Sequence, residues 1–136
     1  MTTIESRYAG ALVGAACGDA LGATLEFKSR ETVRRMYPDG LREIVGGGAF
    51  NVAPGETTDD TAMMLGIARA CSADGIDMEA VATNFVAWWE SGPKDIGNAT
   101  RAALEKIQKG MRWDEAGVAL QADSPEGIAG NGSVMR

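Results

Sequence analysis

The amino-acid sequence predicts an all-α fold. Apolar residues recur at helical spacing in one segment after another, and no convincing run of alternating apolar and polar residues marks a strand. Capping and turn residues punctuate the segments. There is no internal repeat of fixed period and no low-complexity tract.

The first helix is predicted from Ile4 to about Ala20, with Ile4, Tyr8, Ala11, Leu12 and Ala15 recurring at helical spacing. Gly10, Gly14 and Gly18 recur every four residues and form a groove on one side, the kind of face that a second helix crosses closely. The helix ends in Gly18-Asp19-Ala20-Leu21-Gly22. An aspartate framed by two glycines is a poor core residue, and Asp19 has two readings, orienting a neighbouring ligand or capping an adjacent helix. Ser29 is positioned to cap a short helix through Met36, which Tyr37-Pro38-Asp39-Gly40 ends with a turn. Leu41 to Asn51 lacks a helical period, and Gly46-Gly47-Gly48 predicts a flexible loop there; a phosphate cradle is the other reading, but without a GxxxxGK[ST] pattern it is not a P-loop.

A helix is predicted from Asp60 to about Ala73, with Met63, Met64, Ile67, Ala68 and Cys71 on its buried side and Asp74-Gly75 at its end. Asp77 caps the next helix, which carries Val81, Phe85, Trp88 and Trp89 and stops at Ser91-Gly92-Pro93. The two tryptophans point in different directions, so one is expected in the core and the other half exposed. Lys94 to Thr100 opens a further helix through Arg101, Leu104 and Ile107 to Gly110, with Asp95 as a cap. A glycine at its first turn leaves backbone N–H groups open to an anion. Trp113 to about Ala122 reads as one more short helix, and Ser124-Pro125-Glu126-Gly127 as a loop. Gly130-Asn131-Gly132-Ser133 is an ordinary polar turn or a wrap for a phosphate or sugar.

Composition narrows the function classes. At 136 residues and 45% hydrophobic, the chain fits one domain with a core. A net charge of −6 with scattered Lys and Arg disfavours nucleic-acid binding. The longest apolar segment, Ala9 to Ala16, is too short to span a bilayer, and no signal peptide is evident. Cys17 and Cys71 lack CxxC spacing and read as buried reduced thiols of a cytoplasmic protein, with a disulfide between them left open. The chain contains no histidine. A His-based triad, a His–zinc site and a histidine base are excluded, so carboxylates, hydroxyls or a metal must carry any chemistry at neutral pH.

The stretch Gly55-Glu56-Thr57-Thr58-Asp59-Asp60-Thr61 organises the rest. It follows a Pro54-Gly55 turn and precedes the apolar run Ala62-Met63-Met64-Leu65. One reading is a helix start, where acidic residues answer the open N–H groups and the positive end of the dipole. The other is a metal site: capping needs one or two oxygens, clustered carboxylates repel unless a cation sits between them, and hydroxyl and carboxylate oxygens suit Mg²⁺ or Ca²⁺. The stretch by itself favours neither.

Four blocks in this order resemble the ADP-ribosylglycohydrolase family: Gly14 to Gly22 with Glu26-Phe27, Pro54 to Thr61, Asp95 to Thr100, and Gly130 to Arg136. Each is weak alone; together they span nearly the whole chain. The resemblance implies an all-α orthogonal multi-helix bundle with two Mg²⁺ ions in a cleft, and hydrolysis of the glycosidic bond that joins ADP-ribose to a modified side chain or related adduct. It makes Thr58, Asp59 and Asp60 the first metal-ligand triplet, and Glu26 the acidic residue of a mobile segment near the metals. Asp95 and Gly97 would line the ADP-ribose cleft, and Asn131, Gly132 and Ser133 would contact its phosphates and ribose. Asp19 joins the substrate-binding set. Asp59, Asp60, Glu26 and Asp95 are the candidates for placing or deprotonating water.

Family members are longer and carry a second metal triplet of the type Asp-x-Asp-Thr, which nothing after Asp60 matches. The expectation is therefore an N-terminal portion of a single domain, residues 1–136, whether truncated polypeptide, proteolytic product or natural half-gene. Its ion shells and core would be incomplete, its apolar helix faces exposed and its activity impaired. It would then self-associate or pair with a complementing C-terminal portion. The alternative is a catalytically silent module that binds ADP-ribose or self-associates.

Overall fold

The structure is a computed structural model that describes residues 3–124, 126–128 and 130–135, except for the side chain of Ser133. Pro125 of the predicted loop and Arg136 of the fourth family block lie outside the described residues. The fold is mostly helical, as predicted, with one small hairpin. The chain divides into two compact units, Met1–Thr61 and Ala62–Arg136.

The first unit opens with α1 (Ile4–Gly22), whose N-cap Thr3 accepts the Ser6 N–H at 3.2 Å. Among the described residues of this unit no helix crosses the predicted glycine groove: Cβ atoms built on Gly10, Gly14 and Gly18 would meet nothing within 4 Å. Ile4 and Tyr8 of the apolar stripe are exposed, and burial comes only at the C-terminal end, at Ala20. Helix α2 (Arg30–Met36) is short because its punctuation is local. The Ser29 hydroxyl accepts the Thr32 N–H at 3.1 Å, and the Gly40 N–H closes the following turn on the Tyr37 carbonyl.

The triple glycine is a closely packed corner, contrary to the flexible loop expected of it. Gly46, Gly47 and Gly48 all lie in the left-handed region, with φ of 71°, 81° and 72°. Gly47 and Val52 exchange both backbone hydrogen bonds, at 2.7 and 3.0 Å. The buried Thr24 hydroxyl donates to the Gly46 carbonyl at 3.0 Å. Gly48 lies so close to Ala23 that a Cβ on it would fall 2.1 Å from the Ala23 carbonyl oxygen. The corner thus clamps the segment that follows α1, and Ala20, Ala23, Thr24 and Val52 form the small buried centre of this unit.

Helix α3 (Asp59–Arg69) starts in the first unit and continues into the second. It ends earlier than its apolar pattern predicts. Turn chemistry at Ser72–Gly75 wins over helix continuation: the Asp74 N–H donates to the Ser72 hydroxyl at 3.2 Å, and Gly75 takes a φ of 129°. The result is an antiparallel hairpin, β1 (Cys71–Ser72) with β2 (Gly75–Ile76), pairing Cys71 with Ile76 and Ser72 with Gly75. Cys71 therefore leaves the predicted buried face. Cys17, on the uncovered face of α1, is also exposed, and both thiols are free. The buried thiols expected from sequence are corrected on both counts.

Asp77 caps α4 (Met78–Glu90), accepting the Ala80 N–H at 3.0 Å, and Gly92 at φ 75° ends it. Trp88 and Trp89 are both half-buried, so neither fills the core place expected of one of them. Helices α4, α5 (Asn98–Gln108) and α6 (Trp113–Ala122) pack on one another around Val81, Ala82, Leu104 and Ala116. The Gly66 backbone meets the same group, since a Cβ there would touch the Phe85 ring at 3.0 Å, and the Asn84 amide donates to the Gly66 carbonyl at 2.9 Å. The predicted polar turn near the end contains a four-residue helix, α7 (Gly132–Met135).

Candidate functional site

The acidic stretch is delivered by a tight turn. Pro54 and Gly55 occupy its centre, Gly55 at φ 85°, and the Glu56 N–H donates to the Ala53 carbonyl at 2.9 Å. The Glu56 carboxylate folds back to accept the Ala53 N–H at 2.7 Å. Thr57 and Thr58 follow, and α3 begins at Asp59.

The start of α3 is seated on Asp19, near the C-terminal end of α1. Asp19 Oδ2 accepts the backbone N–H groups of Thr58, at 2.9 Å, and Thr61, at 3.1 Å, and also the Thr61 hydroxyl. Asp19 Oδ1 accepts the Thr58 hydroxyl at 2.7 Å. One carboxylate thus collects four donors, two of them amides that a helix start would otherwise leave open. Of the two roles read for Asp19, capping an adjacent helix is the one the geometry shows. Thr61, half of this arrangement, is buried; the sequence offered only its place as the third hydroxyl of the stretch.

Glu26 belongs to the same neighbourhood. Partial burial, and then the negative charges of Asp59, Asp60 and Asp19, push its carboxyl above the ordinary value of 4.5. Asp59 and Asp60, half-buried at the first turn of α3, are therefore close enough for their charge to be felt at Glu26. Among the described residues no three Asp, Glu or Cys side chains gather closely enough to hold a metal ion between them. Oxygen donors on this stretch include the Thr58 hydroxyl as well as carboxylates. Next to Glu26, Phe27 is 80% exposed at a φ of 60°, in edge contact with Phe50 at 5.9 Å between ring centres. A bulky side chain in the left-handed region is rare, and no sequence signal marked it.

The remaining candidates belong to the second unit. Gly97 is the N-cap of α5, with Asp95 half-buried just before it and no side-chain capping bond from the glycine. A Cβ on Gly130 would meet the Ala99 Cβ at 3.9 Å, so the backbone before Asn131 and Gly132 passes close to the first turn of α5. The third and fourth sequence blocks are therefore neighbours. Asn131 is exposed, and its carbonyl accepts the Val134 N–H at 2.9 Å at the start of α7. The side chain of Ser133 lies outside the described residues.

A family model described as ADP-ribosylglycohydrolase matches residues 1–136. The chain belongs to the ADP-ribosylglycohydrolase family. It is 38% identical over 136 residues to an ADP-ribosyl-(dinitrogen reductase) glycohydrolase of Rhodospirillum rubrum, an alignment covering 98% of this chain and 43% of that protein. It is 40% identical over 138 residues to the ADP-ribosylarginine hydrolase Tri1 of Pseudomonas putida (strain GB-1), covering 96% of this chain and 34% of that one. A second ADP-ribosylarginine hydrolase Tri1, of Serratia proteamaculans (strain 568), is 40% identical over 136 residues, covering 93% and 34%. The chain thus spans less than half the length of these relatives. Among the described residues no helix is long and apolar enough to cross a membrane.

Proposed function

We propose that this chain carries one side of the catalytic cleft of a Mg²⁺-dependent ADP-ribosyl hydrolase, which frees ADP-ribose from a modified protein side chain or a related adduct. The observation that carries the reading is the seating of the Thr58–Thr61 turn on Asp19, with Glu26 beside it. Two amide donors at the start of α3 are answered by Asp19, so capping these donors does not by itself account for Asp59 and Asp60. Burial raises Glu26 first; the smaller contribution, from the charges of Asp59, Asp60 and Asp19, is the part that a divalent cation would relieve.

Thr58, Asp59 and Asp60 fit Mg²⁺ in donor type, as hard oxygens on consecutive residues, and would form part of the shell around two ions, with water and other ligands completing it. Bound there, Mg²⁺ would supply charge that holds the ribose hydroxyls and acidifies water. The chain's own residues do the rest. Asp59 or Asp60 orients the attacking water and accepts its proton. Glu26, beside Asp59 and Asp60, is assigned to exchange protons at the bond being broken. Asp95, Gly97, Asn131, Gly132 and Ser133 are assigned to the ADP-ribose. Holding sugar and water in fixed geometry is worth several kcal/mol of the barrier, on the order of 7–11 kcal/mol in well-oriented systems. The reading includes a cytoplasmic location, with which two free thiols are compatible.

The test uses the intact gene product and an ADP-ribosylated protein. Asp60→Asn is expected to abolish Mg²⁺-dependent release of ADP-ribose. Unchanged release would end the metal assignment, and ADP-ribose binding without turnover in the parent protein would favour a silent binding module.

A further inference from the structure

We infer that Asp19 is a positioning residue that fixes the proton of the Thr58 hydroxyl and so turns that oxygen into a pure acceptor; the inference rests on the metal reading of residues 58–60. The Thr58 hydroxyl carries one proton and two lone pairs. Its proton lies on the line to Asp19 Oδ1, 2.7 Å away, because a carboxylate surrounded by four donors has only acceptor oxygens to offer. Both lone pairs of Thr58 Oγ1 therefore point away from Asp19. An oxygen so arranged suits a cation, whereas a freely turning hydroxyl would present its proton to the cation part of the time. The backbone bond from the Thr58 N–H to Oδ2 fixes the same residue a second time, so position and proton are set together.

The asymmetry of the four bonds makes this testable. Three of them reach Oδ2 and one reaches Oδ1. In Asp19→Asn the amide oxygen is retained on the side of the three donors, which keeps α3 seated. The amide nitrogen then faces Thr58 Oγ1 and donates to it. The Thr58 hydroxyl can no longer give its proton to residue 19, and the proton swings toward the ion. Thr61→Val is the complementary change: it deletes one bond to Oδ2 and leaves Thr58 and its proton as they are.

The experiment is calorimetric titration of the metal-free intact gene product with Mg²⁺ alone, together with urea unfolding of each variant. Asp19→Asn is expected to weaken Mg²⁺ binding about 10- to 100-fold, the usual effect of removing the partner that orients a ligand. Thr61→Val is expected to lower the unfolding midpoint while Mg²⁺ affinity stays within about twofold of the parent, in keeping with a lost hydrogen bond that touches no ligand. Thr58→Val gives a check that does not depend on the folding of Asp19→Asn. It too is expected to weaken Mg²⁺ binding at least 10-fold, and unchanged affinity would show that the hydroxyl is no ligand and overturn the inference. Affinity in Asp19→Asn within twofold of the parent, or affinity falling in step with stability in both Asp19→Asn and Thr61→Val, would leave Asp19 a helix cap only. A parent protein that binds no Mg²⁺ would overturn the metal reading as well, which separates that failure from failure of the Asp19 role alone.

Discussion

A methyl group added at Gly48 tests whether the glycine corner clamps the segment between Asp19 and Glu26. In Gly48→Ala the new Cβ falls 2.1 Å from the Ala23 carbonyl oxygen and 3.1 Å from Thr24 Cα. Both are backbone atoms, so no side chain can rotate away. Relief to ordinary contact requires a shift of about an ångström in the corner or in Ala23–Thr24. Forced repacking of this kind costs about 1–3 kcal/mol. The φ of 72° adds about 1–2 kcal/mol for a residue with a Cβ. Gly47→Ala is the internal control: its φ is 81°, but its Cβ would meet nothing within 4 Å. It carries the backbone cost alone. Both changes restrict the unfolded chain equally, so that contribution cancels between them.

The difference between the two variants therefore isolates the clash, at about 1–3 kcal/mol. Equilibrium urea unfolding of the intact gene product measures it. With a slope of about 1–3 kcal/mol per molar urea, the Gly48→Ala midpoint should lie about 1 M below that of Gly47→Ala. Because the clash displaces the segment joining Asp19 to Glu26, Mg²⁺ affinity should fall in Gly48→Ala and hold in Gly47→Ala. If the two variants unfold within about 0.5 kcal/mol of each other, the corner is no clamp and the reasoning is wrong.

Further outcomes follow from single residues. Glu26→Gln should stabilise the metal-free protein at neutral pH, by about 0.2–1 kcal/mol given the partial exposure of the site. The folded state raises the Glu26 pKa, so it holds its proton more tightly than the unfolded chain. That stability is fully present below the ordinary value of 4.5 and is lost as pH rises through the folded value. The advantage of Gln should accordingly vanish below about pH 4 in a series of urea curves, and an advantage independent of pH would contradict the electrostatic cause. Leu104→Ala should cost about 2–5 kcal/mol by the same measurement, since Leu104 is 2% exposed where α4, α5 and α6 meet. A loss below 1 kcal/mol would place the centre of the second unit elsewhere.

The helices were legible because their signals are local. Thr3, Ser29 and Asp77 sit where their side chains accept an N–H two or three residues into the helix, and Gly92 and Gly110 stop helices through a left-handed φ that few other residues adopt. The hairpin after α3 was missed because strands of two residues have no period to read, and the bonds that make it involve Ser72, Asp74 and Gly75. The role of the triple glycine was hidden for a related reason. Freedom to adopt φ near 75° is visible in three glycines, but the close approach of the Ala23 backbone to Gly48, and of the Val52–Pro54 backbone to Gly46, is not. Exposure misled as well. The apolar stripe of α1 and the place of Cys71 in a helical pattern both suggested burial, yet a pattern specifies which residues share a face and not whether anything covers it.

At the candidate site, composition exposed the chemistry and withheld the connection. Without a histidine, the carboxylates and hydroxyls of residues 56–61 stood out at once, and cap and metal site competed as explanations of the same oxygens. The competition rested on an unstated premise, that a helix start must be capped by its own neighbours in sequence. Asp19 breaks that premise from 39 residues away, by taking the Thr58 N–H and, with it, the Thr58 hydroxyl. On the proposed reading, capping and cation binding are successive layers of one arrangement. The first layer satisfies the amides and sets a proton. The second presents oxygens of consecutive residues on a turn that the first has made rigid. The carboxyl of Glu26 is raised first by its partial burial and then by the charges of Asp59, Asp60 and Asp19. Acidic residues at a helix start are favoured by its dipole, so Asp59 and Asp60 serve the helix whether or not an ion is bound, and the Mg²⁺ titrations of the Asp19 and Thr58 variants are what separate the proposed cation site from a cap.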